Sequence, residues 1–190
     1  MTGPSDAATL TTVGHGTLPA DDFGHLLTGA GVELVVDIRA HPGSRRHPHF
    51  ARAAMEQWLP EHALEYRWEP RLGGRRRPDP ASPNLALRHP AFRGYADYMT
   101  TADFASALDD VLDDAARRPA AVMCAESLWW RCHRRLVADA AVLLRTRPVT
   151  HLFHDGRTAP HAPTDAARVE DGKLVYDAGA ATLPGTERDS

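Results

Sequence analysis

The chain has 190 residues, 43% hydrophobic and 25% charged, with a net charge of −3. That is enough for one full core, and it argues against a broad nucleic-acid surface. No run of about 18 apolar residues exists to cross a membrane, and the N-terminal stretch has neither the basic nor the apolar region of a secretion signal. Two cysteines in such a chain point to free thiols in a reducing cytoplasm.

Charge is unevenly spread. Between Arg39 and Arg93 eleven Arg face four Glu and one Asp, a net +6, and 21 of the 22 basic residues are Arg. Arginine forks onto carboxylates and phosphates, so a small anionic ligand or a nucleotide is the expected partner, with a nucleic acid as the alternative. Cofactor identity and oligomeric state are left open by the sequence.

Residues 1–8 read as a flexible leader. A short strand at 9–13 ends in Gly14-His15-Gly16. Pro19 and the spacing of Phe23, Leu26, Leu27 and Ala30 predict a helix closed by Gly29 and Gly31. The apolar run at 33–38 predicts a buried parallel strand ending at Asp37-Ile38-Arg39. The Pro- and Gly-broken loop 41–50 carries Ser44, Arg45, Arg46, His47 and His49, and a short helix at 51–58 stops near Pro60. A third strand is expected at 64–68, then an irregular stretch at 70–90 containing Gly73-Gly74-Arg75-Arg76-Arg77. Loops of that length are usually functional or disordered.

A short helix is expected at 92–99. Thr100-Thr101-Ala102-Asp103 resembles a capping box, opening a helix that buries Phe104, Ala107, Leu108, Val111, Leu112 and Ala115 and stops at Pro119. A fourth strand runs into Cys124. After Glu126 and Trp129-Trp130, the run Arg131-Cys132-His133-Arg134-Arg135 opens a helix broken by Pro148. A fifth strand follows at 149–153. The stretch 168–177 predicts a hairpin centred on Asp171-Gly172, and 178–190 a flexible tail.

Strands alternating with helices imply one α/β domain over 9–177, a three-layer Rossmann-like or flavodoxin-like sandwich on a mostly parallel five-stranded sheet. Gly14-His15-Gly16 lacks the spacing of a dinucleotide fingerprint, so no nicotinamide cofactor is inferred. In such a sheet the C-terminal strand ends share one edge. That edge would collect His15, Asp37, Arg39, Arg71, Cys124, Glu126 and His151 into a cleft.

Five ordered motifs resemble one family. They are T-x-G-H-G from Thr12, D-I-R-x-x-P-G-S-R-R from Asp37, L-G-G-R-R from Leu72, F-R-G-Y-A-D-Y-M from Phe92 and M-C-A-E-x₅-C-H-R from Met123. Together they resemble domain-of-unknown-function family 488, over about residues 13–153. The resemblance implies the fold and this residue set but no reaction. Pro19 and His41 depart from its pattern, and Trp129-Trp130 fill a link that is usually polar, which would favour stacking in the pocket.

A thiol at a strand end facing a helix N-terminus and arginines is a candidate nucleophile. Cys124 is therefore read as the reactive group, with His15, His133 and Glu126 as proton-handling partners. Burial as a small core residue is the competing reading of Cys124, and ion pairing the competing reading of Glu126 and Asp37. Asp37, Arg39, Ser44, Arg45, Arg75, Tyr95 and Arg134 are the expected substrate- or anion-binding set. The function so read is an enzyme on a nucleotide or other phosphate-bearing substrate, a cysteine- or histidine-assisted hydrolase or transferase. The alternatives are a non-catalytic nucleotide- or nucleic-acid-binding module, and a metal-binding or redox protein using Cys124, Cys132 and His133. The spacing C-x₇-C-H matches no strong zinc pattern.

Overall fold

The computed structural model describes residues 8–43 and 45–177. β1 (Leu10–Gly14) leads through α1 (Ala20–Gly29) to β2 (Leu34–Asp37), and β2 through α2 (Arg52–Trp58) to β3 (Glu65–Trp68). Two helices, α3 (Pro90–Tyr98) and α4 (Ala102–Arg117), carry the chain to β4 (Ala120–Cys124). From there α5 (Arg134–Arg145) leads to β5 (Val149–Leu152). These five strands are parallel, in the order β3-β2-β4-β1-β5. The expected α/β class and mostly parallel sheet are what the chain adopts.

A sixth strand that the sequence did not announce, β6 (Thr158–Pro160), pairs antiparallel with β5 at the sheet edge. It is three residues long and ends in proline, which is tolerated only where a strand has an unpaired side. The expected hairpin forms as β7 (Ala167–Glu170) and β8 (Lys173–Tyr176). Asp171 and Gly172 both have positive φ, 49° and 74°, as a tight hairpin turn requires. The expected leader at 1–8, apart from Ala8, and the expected tail at 178–190 lie outside the described residues.

Alternation along the strands builds two cores. Leu34 and Val36 pack with Tyr95, Phe104, Leu108 and Leu136 from α3, α4 and α5. Val35 points the other way, to Phe23, Leu27 and Met55 from α1 and α2. Helix α4 buries the six residues its apolar stripe predicts, and the Thr101 hydroxyl caps it by accepting from the Phe104 N–H at 3.3 Å. The irregular stretch after β3 is tied down by Asp97, whose carboxylate accepts from the Asp79 N–H, Ser82 Oγ and Asn84 Nδ2 at 2.6–2.8 Å. Among the described residues no helix is long and apolar enough to cross a membrane.

The topology positions the site. Connections leaving β1 and β2 run toward the β3 edge over the α1/α2 face. Those leaving β3 and β4 run toward the β5 edge over the other face. Neighbours β1 and β4 therefore send their outgoing chains in opposite directions, and a crevice opens between their C-terminal ends.

Candidate functional site

A cavity of about 810 Å³ fills that crevice. It is lined by His15 and Gly16 after β1, Arg39, His41, Arg46 and His47 after β2, and Gly74 and Arg75 after β3. Phe92 and Tyr95 of α3, with Cys124, Ala125, Glu126, Arg131, Cys132 and His133, complete it. Gly14 lets the walls meet: a Cβ there would lie 1.9 Å from the Glu126 carbonyl oxygen. The His15 and Gly16 N–H groups extend the β1–β4 ladder by donating to the carbonyls of Cys124 and Ala125, both at 3.0 Å.

One wall is organised by a buried ion pair. The Asp37 carboxylate, fully buried, accepts from Arg39 Nε at 2.8 Å and Nη2 at 2.6 Å, and from the Tyr66 hydroxyl at 2.7 Å. Arg39 Nη2 also donates to the Phe50 carbonyl at 2.8 Å, and Nη1 meets His15 Nε2 at 3.2 Å. An arginine can only donate, so His15 Nε2 accepts, and the ring proton sits on Nδ1 and goes to the Gly16 carbonyl at 3.0 Å. The His15 ring also stacks on Phe50. Burial, together with the Arg39 charge, lowers the His15 pKa from 6.5 to about 3. His15 is thus a neutral imidazole with both nitrogens engaged. Arg39 is paired with the Asp37 carboxylate.

The opposite wall holds the thiols. Cys124 ends β4, and Cys132 stands two residues before α5. Their sulfurs lie 2.6 Å apart, and both are buried. Cys132 Sγ accepts from the Arg134 backbone N–H at 3.5 Å and lies 3.5 Å from His133 Nδ1. Burial pushes the Cys124 thiol up, and its bond to Cys132 pushes the same way. Burial also opposes a Cys132 thiolate. The donated Cys124 S–H, His133 and Arg134 outweigh that and take Cys132 well below the usual thiol range. These directions put the more acidic thiol at Cys132, and Cys124, the sequence-predicted nucleophile, lies in direct contact with it.

Arg134 lies beneath this pair, 1% exposed. Its Nη2 donates to the carbonyls of Glu126 at 2.5 Å and Ser127 at 3.3 Å, and among the described residues its buried Nε has no partner. Burial works against its charge, and the two sulfurs more than offset it. Arg134 therefore shapes the loop and offers its charge to sulfur, not to the open cavity.

The exposed guanidiniums on the cavity are Arg46, Arg75 and Arg131, from three different loops. Among the described residues none of them forms an ion pair. Arg75 holds a left-handed backbone, φ 65°, which costs a non-glycine residue about 1 kcal/mol and is typical of functional loops. Of the expected residues, His15, Arg39, Arg75, Tyr95, Cys124, Glu126 and His133 line the cavity. Arg45 is exposed away from it, and Ser44 lies outside the described residues. Tyr95 spends its hydroxyl on the Leu72 carbonyl at 2.7 Å. Arg71 turns sideways to Glu69 and Asp110. His151 is sealed under Trp129, their rings stacked at 4.0 Å. Sequence reasoning named Arg46 and Arg131 only as members of their motifs and left both out of the expected anion-binding set. Each adjoins a chosen motif residue, but a loop has no period to tell which neighbour faces inward. Among the described residues no group of three or more His, Cys, Asp or Glu is disposed to hold a metal ion.

A family model described as "Domain of unknown function DUF488" matches residues 19–141. That span includes four of the five motifs and begins just after the one from Thr12. No curated protein and no solved structure matches the chain.

Proposed function

We propose that this chain, which belongs to the DUF488 family of unknown function, is an enzyme acting on a nucleotide or other phosphate-bearing substrate through a thiolate. The observation that carries the reading is that one cavity holds a buried thiol pair together with three exposed guanidiniums that form no ion pair among the described residues. Its volume, about 810 Å³, is within the range of small-molecule sites.

Arg46, Arg75 and Arg131 would fork onto phosphate oxygens, approaching from three loops and fixing the anion's orientation. Phe92 and the His133 ring offer flat faces to a base. Cys132 would attack the substrate phosphorus, forming an S–P bond as the P–O bond to the leaving alcohol breaks and that oxygen takes up a proton. Water or an acceptor hydroxyl would then attack the phosphorus and break the S–P bond, giving hydrolysis or transfer. His133, beside the sulfur, and Glu126, exposed at the cavity mouth, would move the proton. His15 and Arg39 hold the wall in shape. The reading does not require the protein to reside in the cytoplasm, although reduced thiols fit that compartment.

The test is a thermal-stability and turnover screen with mononucleotides and simple phosphate esters. A ligand at one hundred times its Kd adds about 2.7 kcal/mol of stability. Arg75→Ala combined with Arg131→Ala should abolish that gain, and Cys132→Ser should keep it and lose turnover. Failure of every phosphate-bearing compound to stabilise the protein, or a gain that survives the double substitution, would overturn the proposal.

A further inference from the structure

The two thiols are arranged for chemistry with each other. Their sulfurs are 2.6 Å apart, and a disulfide needs about 2.05 Å, so bonding asks the sulfurs to close by about half an ångström. The residues between them are already pinned by Arg134 at the carbonyls of Glu126 and Ser127. Both sulfurs line the open cavity, so a small reagent can reach them.

The pair is also asymmetric. Cys132 has the Arg134 backbone N–H, His133 and the start of the twelve-residue helix α5 beside it. Cys124 sits at a strand end and can donate its S–H to Cys132 or to the Glu126 carbonyl at 3.8 Å. A helix N-terminus alone would prove little. Here Arg134 adds a second sign of an anion, because it is buried and, among the described residues, no carboxylate pairs with it and its Nε is unpartnered. The anion this cation calls for is a thiolate within the pair.

We propose that Cys132 and Cys124 form a reversible dithiol–disulfide couple, with Cys132 attacking and Cys124 resolving, oxidised by a hydroperoxide and reduced by an external dithiol. In the first step the Cys132 sulfur attacks the terminal peroxide oxygen. An S–O bond forms, the O–O bond breaks, and the alcohol or water leaves after taking up a proton, so Cys132 becomes a sulfenic acid. In the second, the Cys124 sulfur attacks Cys132. The S–S bond forms, the S–O bond breaks, and hydroxide departs as water with the Cys124 proton. An external dithiol then returns both thiols by exchange and is itself oxidised to a disulfide. Closure consumes the thiolate, so it silences the enzyme proposed above. This inference rests on the same thiolate reading, but its readout needs no substrate.

The experiment treats the full chain with hydrogen peroxide and follows intact mass and peptide maps. The expected product has lost two hydrogens, links Cys124 to Cys132, and reverts with dithiothreitol. Cys124→Ser should instead leave a sulfenic acid on Cys132 that dimedone traps, and Cys132→Ser should leave no adduct on Cys124. In the reduced protein Cys132 should alkylate with iodoacetamide about tenfold faster than Cys124 at neutral pH. Oxidised protein with both sulfurs unlinked, or dimedone capture at Cys124, would overturn the couple. If linkage fails while Cys132 alkylation still stops turnover on a phosphate ester, only the couple falls. If linkage succeeds and no phosphate-bearing compound binds, only the enzyme reading falls.

Discussion

Acidification from pH 7.5 to 5.0 should destabilise this protein through two histidines held neutral. His15 and His151, 3% and 1% exposed, each have a pKa lowered from 6.5 to about 3. Burial is the main cause in both, reinforced by Arg39 for His15 and by His161 for His151. In the unfolded chain both protonate as pH drops through 6.5, and in the folded chain neither does until about 3. Stability is therefore fully present above pH 6.5 and is lost progressively below it. By pH 5.0 the unfolded form has gained about 1.5 pH units of protonation free energy per histidine, or about 2 kcal/mol each. Urea unfolding at the two pH values measures the loss. His151→Gln and His15→Gln should each flatten the pH dependence by about 2 kcal/mol, whatever they do to stability at pH 7.5. A wild-type midpoint that does not move between pH 7.5 and 5.0, or variants with the wild-type slope, would refute the reasoning.

Three further outcomes follow from the same geometry. Cys124→Ala removes the S–H donor to Cys132, so the midpoint of the Cys132 alkylation rate against pH should move up, and an unchanged midpoint would deny Cys124 that role. Gly14→Ala would place a methyl group 1.9 Å from the Glu126 carbonyl and 2.7 Å from Arg134 Nη2. The loop must shift, and urea unfolding should show a loss of about 2–3 kcal/mol. Asp139→Asn replaces a fully buried carboxylate that accepts from His161, Thr164 and Tyr176. It should cost about 1–3 kcal/mol and weaken hydrogen-exchange protection in β7 and β8 first, since Tyr176 ends β8.

Periodic parts of the chain were readable and contact-specific parts were not. The stripe from Phe104 to Ala115 predicts its helix and its buried face because a period of 3.6 repeats one physical demand many times. The strand ends carrying Gly14, Asp37 and Cys124 were placed on one edge because parallel crossovers leave them no other. Asp139 was passed over. An acid within an amphipathic helix looks like a solvent-facing residue, and what buries it is His161 and Tyr176, 22 and 37 positions away. His151 was expected at the cleft, yet its partners are Thr12 at 2.7 Å and His161 at 2.9 Å, a pairing that depends on the unannounced strand β6. Trp129, expected to stack on a ligand, covers that ring instead.

Two buried arginines set the thiol wall apart from the wall opposite. Each guanidinium has left water, and an unpaired buried charge would be strongly destabilising. Arg39 resolves this internally with two oxygens of the Asp37 carboxylate. That wall is electrically complete, and neutral His15 adds nothing to it. Arg134 has only carbonyl dipoles beside two sulfurs whose charge depends on protonation, oxidation and ligation. Its stability is therefore coupled to the state of the thiols, as Asp37 makes impossible for Arg39. Whatever consumes the Cys132 thiolate, a substrate or a disulfide, withdraws the counter-charge from Arg134 and so alters the loop it holds at Glu126 and Ser127. That loop bears Arg131, one of the three exposed cations on the cavity. In the proposed enzyme the chemistry of the sulfur and the capture of an anion would thereby be linked through one buried side chain.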